Sequence, residues 1–222
     1  MVELRNSPMP LQNRVDPRGA IFSWPARGTL MGNRGGALHN DQREIVRQFN
    51  SRRWITCLLE FKGRRRSPMM APGLYTELFF LDEAVSLAAG HRPCAECRRP
   101  RFNTFRDAFR NARQRPGEPD TGSRLLADEI DAELQPTRID SRGAKVTYEA
   151  ALNALPDGCF VQIDGSSYLV WEEALLLWSP EGYLKKEHRP NGLTVTVLTP
   201  EPIVRGIRQG YRPEIHKSAL EL

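Results

Sequence analysis

Long apolar runs are missing from this sequence of 222 residues. No run approaches the roughly 20 residues of a membrane-spanning helix, and residues 1–20 lack the apolar core of a secretory signal. Cysteine is also scarce, because the chain has only four and two of them share one Cys-x-x-Cys motif. So few cysteines argue against a disulfide framework and favour a reducing compartment. The sequence therefore predicts a cytoplasmic protein with no membrane partner.

The charge balance leans toward the basic side. Lys and Arg number 32 against 27 Asp and Glu, which gives a net charge of +5 and a pI of about 9.2. A basic surface favours an acidic partner such as nucleic acid. The hydrophobic fraction of 40% is enough for an ordinary folded core. Together these features predict a folded protein that faces nucleic acid.

The most unusual stretch of the chain runs from residue 78 to residue 99. Residues 78–81 form a short apolar run that is typical of a buried strand. Asp82 is a good N-cap for the Ala-rich segment that follows, and Gly90 supplies a left-handed stop. A second helix is expected to begin near Pro100. The sequence therefore predicts a Cys-x-x-Cys turn between two helices.

Cys94 and Cys97 have the spacing that lets two sulfurs face one metal ion. A structural zinc site needs four ligands, and no second Cys-x-x-Cys motif occurs in the chain. Cys57, in an apolar segment predicted to form a strand over residues 54–61, is one candidate for a further ligand. His91, three residues before Cys94, is another. The alternative is that Cys57 is a buried core residue, as free cysteines often are.

Phe79-Phe80 and an Ala-rich helix lead into the segment Gly90-His91-Arg92-Pro93-Cys94-Ala95-Glu96-Cys97-Arg98-Arg99. This pattern resembles the Ada-type zinc-binding domain, a DNA-repair module, over about residues 50–110. The resemblance implies a zinc ion held by cysteines, DNA as the partner, and a thiolate that accepts a methyl group from DNA phosphate. Cys57 stands where that family has the first ligand of its upstream pair. Phe61 stands at the position of the second ligand and cannot bind metal.

Two basic segments flank the Cys-x-x-Cys motif along the chain. In residues 52–66, Glu60 is the single acid among several cations. After the motif, phenylalanines recur at helical spacing and are expected to face the core, which leaves the arginines of the same helix exposed. Arginine forks suit phosphate oxygens. The residues predicted to contact nucleic acid are Arg64, Arg65, Arg66, Arg98, Arg99 and Arg101.

The chain is predicted to have an α+β fold in two regions. Residues 114–123, rich in proline and glycine, favour a boundary between a basic region 1–115 and a C-terminal module 116–222, which could also pack as one unit. The first region is predicted to hold a small mixed sheet with the cysteine turn, and a short helix over residues 41–50. The second is predicted to hold a helix over residues 148–155, a hairpin around Asp164-Gly165, and a last helix with Pro200 at its first position.

These features predict a nucleic-acid-binding protein with one structural zinc, linked to DNA repair or modification and binding DNA rather than RNA. A metal-dependent enzyme acting on nucleic acid or a nucleobase is an open alternative. Pro93-Cys94-Ala95-Glu96-Cys97 also matches the Pro-Cys-x-x-Cys of zinc nucleobase deaminases, but Tyr75 stands where those enzymes have a histidine. The candidates for catalysis are Cys57 and Glu77, with Glu96 as a second acid–base residue. The third alternative is a metal-free scaffold or interaction module.

Overall fold

The computed structural model describes residues 9–63, 67–114 and 124–222. Within these ranges the strands form two six-stranded sheets, and four α-helices accompany them. The combination of helices and sheets confirms the predicted α+β class. None of the helices in the described ranges has the length and apolarity to cross a membrane.

The first sheet contains strands from the N-terminal half of the chain. They are β1 (Gln12–Val15), β2 (Ile21–Ser23), β3 (Leu30–Arg34), β4 (Trp54–Cys57), β5 (Leu78–Phe80) and β6 (Arg92–Pro93). Their order across the sheet is β2-β1-β5-β3-β4-β6. The pairs β1–β5 and β4–β6 are parallel and the other neighbouring pairs are antiparallel, so the sheet is mixed.

The second sheet is antiparallel throughout. Its strands are β7 (Tyr148–Ala151), β8 (Phe160–Ile163), β9 (Ser166–Trp171), β10 (Ala174–Ser179), β11 (Gly182–His188) and β12 (Thr194–Val197), in the order β11-β10-β9-β8-β12-β7. Asp164 and Gly165 join β8 to β9 with φ angles of 47° and 79°. Two successive positive φ angles define the tight hairpin turn that the sequence predicts.

The four helices are α1 (Glu83–Ala88), α2 (Arg99–Asn111), α3 (Ala127–Arg138) and α4 (Glu201–Arg208). Asp82 is the N-cap of α1, and its side chain accepts a hydrogen bond from the backbone N–H of Val85 at 2.9 Å. The chain leaves α1 through Gly90, at a φ of 92°. On α2 the phenylalanines at helical spacing are buried, as predicted: Phe102, Phe105 and Phe109.

The second sheet lies between two hydrophobic clusters, because side chains alternate between the faces of a strand. Val161 and Val170 face a cluster that also holds the phenylalanines of α2 and the apolar residues of α3 and α4. Phe160 and Leu169 face the other cluster, which α1 and the inner face of the first sheet complete. Each cluster combines residues from before and after position 115. The predicted boundary itself lies outside the described residues.

Two predicted helices are wrong. Residues 41–50 form no helix, because the side chain of Asn40 accepts hydrogen bonds from the backbone N–H groups of Gln42 and Glu44 and closes a turn instead. In residues 148–155, the first four form β7 and pair with β12, and a short 3-10 helix, Leu152–Ala154, follows. Strand pairing outweighs the helix preference of the alanines there.

The strand predicted over residues 54–61 is also too long. β4 ends at Cys57, and Leu58 and Leu59 beyond it are each 38% exposed. Cys57 therefore lies at the end of a strand, where its side chain has room on one side.

Candidate metal centre

Cys57, Cys94 and Cys97 lie together, with their Sγ atoms all within 4.8 Å of one another. Strand pairing produces this arrangement. β4 and β6 are parallel neighbours with Thr56 opposite Pro93, and the backbone N–H of Cys94 donates to the carbonyl of Thr56 at 2.9 Å. Cys57 and Cys94, the next residue on each strand, are therefore side by side. The turn after β6 then returns Cys97 to the same place.

The backbone of this turn is organised around the sulfur of Cys94. The N–H of Glu96 donates to Cys94 Sγ at 3.4 Å, and the N–H of Arg98 donates to the carbonyl of Cys94 at 3.2 Å. Hydrogen bonds from the thiols of Cys57 and Cys97, with help from backbone N–H groups, lower the pKa of Cys94. The neighbouring sulfurs, Cys94 first, raise the pKa of Cys57. One thiolate forms readily here, and a cation is needed to ionise all three.

The three sulfurs fit a metal ion of tetrahedral preference. A zinc–sulfur distance of about 2.3 Å corresponds to sulfurs about 3.8 Å apart, and three sulfurs that all lie within 4.8 Å of one another are compatible with this spacing. Soft thiolate donors favour zinc and similar soft ions over magnesium or calcium. In the described part of the chain, no fourth His, Cys, Asp or Glu joins the group. The described residues thus offer three ligands and leave a fourth position open.

The open side faces a cavity of about 380 Å³ on the outer face of the first sheet. All three cysteines line it. Its apolar wall consists of Met31, Ile55, Leu58, Leu59 and Phe61, and its polar wall includes Asn33, Tyr75 and Glu96. Phe61, the residue at the missing ligand position of the Ada-like pattern, therefore borders the cavity without offering a donor. The cavity is large enough for a small group to approach the sulfurs.

Gly32 lets β3 pack closely on the inner face of the first sheet, behind this cavity. It lies in β3 opposite Thr56, and a Cβ at this position would lie 2.4 Å from the carbonyl oxygen of Ile55 and 2.7 Å from the ring of Phe80. No side chain fits between them. Asn33 beside it is held by donation from its amide to the carbonyls of Gly36 and Thr76, at 3.0 and 2.9 Å.

His91 does not join the cysteines, although the sequence makes it a candidate ligand. Its ring is fully buried and packs edge-on against Phe80 and at a tilt against Trp54, at centroid distances of 4.6 and 5.3 Å. Its Nε2 accepts a hydrogen bond from Nε of Arg34 at 3.3 Å. Burial, followed by the charge of Arg34, lowers the pKa of His91 well below its usual range. The imidazole is therefore a neutral core group.

The two glutamates considered for catalysis occupy different places. Glu77 is buried, and its Oε2 accepts a hydrogen bond from the backbone N–H of Met70 at 2.8 Å. It does not line the cavity, which makes it a structural residue of the loop before β5. Glu96 does line the cavity, between the two cysteines of the motif. Of the pair, Glu96 is the one placed to act on a bound molecule.

The arginines after the motif are only partly exposed. Arg98, which was expected on the surface, is 3% exposed, because its guanidinium is enclosed by the carboxylates of Glu83 and Glu214 at 3.0 and 2.5 Å. Arg101 is half-buried and also contacts Glu83. Arg99 is exposed at the start of α2. The predicted phosphate contacts Arg64, Arg65 and Arg66 lie outside the described residues.

Comparison of the chain with protein-family models, with curated proteins and with solved structures found no match in any of the three.

Proposed function

We propose that this protein binds one zinc ion through Cys57, Cys94 and Cys97 and uses a thiolate of this site to accept an alkyl group from nucleic acid. The observation that carries the proposal is the meeting of the three sulfurs, within 4.8 Å of one another, at the wall of an open cavity. A closed structural site would have four protein ligands. Three ligands and a cavity are the arrangement of a site at which chemistry occurs.

The charge of the donor set favours sulfur as the reacting atom. Three thiolates outweigh the two positive charges of a divalent ion and leave the sulfurs electron-rich. Zinc, when bound, keeps the thiols ionised at neutral pH. The apolar wall of the cavity reduces the hydration of the sulfurs on its side, and a thiolate that is less hydrated is a stronger nucleophile.

Cys57 is the thiolate that we assign to the reaction. It ends β4 beside the exposed leucines at positions 58 and 59, and the resemblance to the Ada-type domain gives the matching position this role. In the step, Cys57 Sγ attacks a methyl carbon of an uncharged methyl phosphotriester. The sulfur–carbon bond forms, the carbon–oxygen bond breaks, and the phosphate oxygen leaves with the electron pair as a phosphodiester anion. No oxidant, reductant or further reactant is required.

Exposed cations close to the cysteines in the chain support nucleic acid as the partner. Arg52 and Arg53 precede β4, Lys62 follows it, and Arg99 follows the Cys-x-x-Cys motif, and all four are exposed. Arg53 pairs with Asp128 at 3.3 Å, but both side chains are about two-thirds exposed, so this ion pair is weak and exchanges readily for phosphate.

The test measures metal content and methyl transfer on the same samples. We expect about one zinc per chain in the natural protein, and loss of zinc in Cys57→Ser, Cys94→Ser and Cys97→Ser. Cys159→Ser is the matched control, because Cys159 is buried outside the site and should leave zinc unchanged. After incubation with a duplex carrying methyl phosphotriesters, intact mass and peptide mapping should find one methyl group on Cys57.

The outcomes separate the two parts of the proposal. Well-folded protein without zinc would overturn both the metal site and its chemistry. Zinc without methyl transfer would overturn the alkyl-acceptor role and leave the metal site itself standing. Methyl transfer to a cysteine other than Cys57 would contradict the assignment of the reacting thiolate.

Glu96 favours a second candidate function, hydrolytic deamination of a nucleobase. It lines the cavity two residues after Cys94, the same separation that zinc deaminases have between their histidine ligand and their glutamate. In this alternative Glu96 moves the proton of an attacking water. The variant Glu96→Gln should abolish turnover of cytosine or adenine substrates if this function holds, without changing metal content. Turnover that survives in Glu96→Gln would exclude it.

A further inference from the structure

A second cavity, of about 260 Å³, lies at the opposite face of the first sheet from the cysteines. Alternation along the strands separates the two. Cys57 and Ile55 of β4 face the cysteine cavity, whereas Trp54, with its register partner Arg34 of β3, faces the second one. The second cavity is lined by four cationic side chains, which are Arg18, Arg34, Arg138 and Lys145.

Arg34 is the most unusual of these cations. Its side chain is 1% exposed, with the guanidinium 4.1 Å from the ring centre of Trp54. Its N–H groups donate to the carbonyls of Gly19 at 2.9 Å and Gln48 at 3.4 Å, and to the ring of His91. Among the residues that the structure describes, no carboxylate forms an ion pair with it. A buried charge of this kind is costly unless an anion neutralises it.

Arg138 is buried beside Arg34. Among the described residues one carboxylate pairs with Arg138, and a second arginine binds the same carboxylate. Asp131 lies 3.3 Å from Nη2 of Arg138 but is held more closely by Arg92, at 3.0 and 2.7 Å. One carboxylate therefore serves two guanidinium groups. Lys145, half-buried at the same cavity, donates from Nζ to the carbonyl of Ala88 at 2.7 Å.

The positive charges act on one another across the cavity. Burial, followed by the charge of Arg138, lowers the pKa of Arg34 to about 9. Burial also lowers the pKa of Arg138 to about 10, against the opposing effect of Asp131. Burial and the charge of Arg34 lower the pKa of Lys145 to about 7, and the nearby carboxylate of Asp16 opposes this only in part. These pKa shifts agree with the geometry, because the cationic side chains around the cavity outnumber the carboxylates.

We propose that this cationic cavity binds the phosphomonoester group of a small molecule. The excess of positive charge suits a dianion better than a carboxylate, and arginine forks match the oxygens of a phosphoryl group. The volume of about 260 Å³ is below the usual range for drug-sized ligands, so it accommodates the phosphoryl group with a short substituent. This site is separate from the cysteines, and its test is independent of zinc.

Calorimetric titration of the full-length protein with inorganic phosphate tests the proposal. We expect saturable binding of one phosphate per chain, with a rise in the unfolding temperature on adding phosphate. Lys145→Met keeps the apolar stem and removes one charge, and it should weaken phosphate binding about tenfold. The matched control is Arg142→Met in the same turn, whose side chain is 86% exposed and does not line the cavity. It should change the affinity less than about twofold.

Three results would overturn the proposal. The first is no saturable phosphate binding by the folded natural protein. The second is equal weakening in Lys145→Met and Arg142→Met, which would mean nonspecific attraction to surface charge. The third is that a 5′-phosphorylated oligonucleotide binds far more tightly than phosphate, and that this higher affinity is lost when the terminal phosphate is removed. The ligand would then be the end of a nucleic acid and not a small molecule. Arg34→Met serves as a second variant and should abolish binding if it folds.

Discussion

Arg98 and Glu83 form a buried ion pair, with Nη1 of the arginine 3.0 Å from Oε1 of the glutamate and both side chains almost completely enclosed. Arg98 directly follows Cys97, and Glu83 is the first residue of α1. The same carboxylate accepts hydrogen bonds from the hydroxyl of Tyr211 at 2.6 Å and from the backbone N–H of Glu214 at 2.9 Å. The pair therefore fixes the cysteine turn against α1 and the C-terminal segment at once.

The substitution Glu83→Ala should lower the free energy of unfolding by about 3–5 kcal/mol, because it leaves the buried guanidinium of Arg98 with only the partly exposed Glu214 and removes the acceptor of the Tyr211 hydroxyl. Urea denaturation measures this loss. Asp128→Ala, which removes the exposed partner of Arg53, is the control and should cost less than about 1 kcal/mol. Equal losses in the two variants would contradict the structural role of the buried pair.

The burial of Arg98 could not be predicted from the sequence. The chain pattern indicates a basic turn and an exposed arginine, but the partner Glu214 lies 116 residues further on. Only the folded chain brings them together. Local features were predicted more accurately, because the N-cap at Asp82 and the hairpin at Asp164-Gly165 depend on neighbouring residues alone.

The cysteine site was predicted in part for a similar reason. The Cys94–Cys97 spacing is a local signal, and the scarcity of other soft ligands made Cys57 a candidate. Cys57 is brought to the site by the parallel pairing of β4 with β6, which has no sequence signature across the 34 residues between Cys57 and Arg92. The cationic cavity had no local signal at all. Arg34 and Lys145 look like surface residues until the sheet and α3 enclose them.

Removing the metal should destabilise the protein, because binding to the folded state but not to the unfolded chain adds to the free energy of unfolding. Treatment with a chelator is expected to lower the unfolding temperature of the natural protein and of Cys159→Ser. It should have no such effect on Cys57→Ser, which has already lost a ligand. Differential scanning calorimetry checks this. An unchanged unfolding temperature in the natural protein would mean that the three sulfurs hold no ion that matters for stability.

Asp82 should make the protein less stable as the pH rises from about 4 to 6. Burial raises the pKa of its carboxyl to about 6 in the folded state, above the value of about 3.9 expected in the unfolded chain. Between these two values the folded state binds more protons than the unfolded chain, so the free energy of unfolding falls as the pH increases. A shift of about two units corresponds to at most about 3 kcal/mol, and the effect levels off above pH 6.

The variant Asp82→Asn isolates this contribution, since an amide does not titrate. Urea denaturation of both proteins at several pH values between about 4 and 7 gives the difference in unfolding free energy. We expect the natural protein to lose stability relative to the variant as the pH rises through this window. A constant difference, or one that favours the natural protein more at higher pH, would show that the carboxyl is ionised throughout.

Gly90→Ala should disturb both the fold and the cationic cavity. The residue has a φ of +92°, and an added Cβ would lie 2.7 Å from Cγ of Arg138, whose Nε donates to the carbonyl of Gly90 at 2.6 Å. Gly210, which follows α4, is the matched control because its φ is +97° and nothing lies within 4 Å of its missing Cβ. Gly210→Ala should lose only the roughly 1–2 kcal/mol of left-handed backbone strain.

Gly90→Ala must also displace Arg138, so we expect it to lose more unfolding free energy than Gly210→Ala. The folded fraction of the Gly90→Ala variant should also bind phosphate more weakly. Urea denaturation and calorimetric titration on the two variants test both effects. If the two alanine variants lose the same free energy, Arg138 moves aside without cost. Its guanidinium is then held too loosely to define an anion site, and the contact between Gly90 and Arg138 positions nothing.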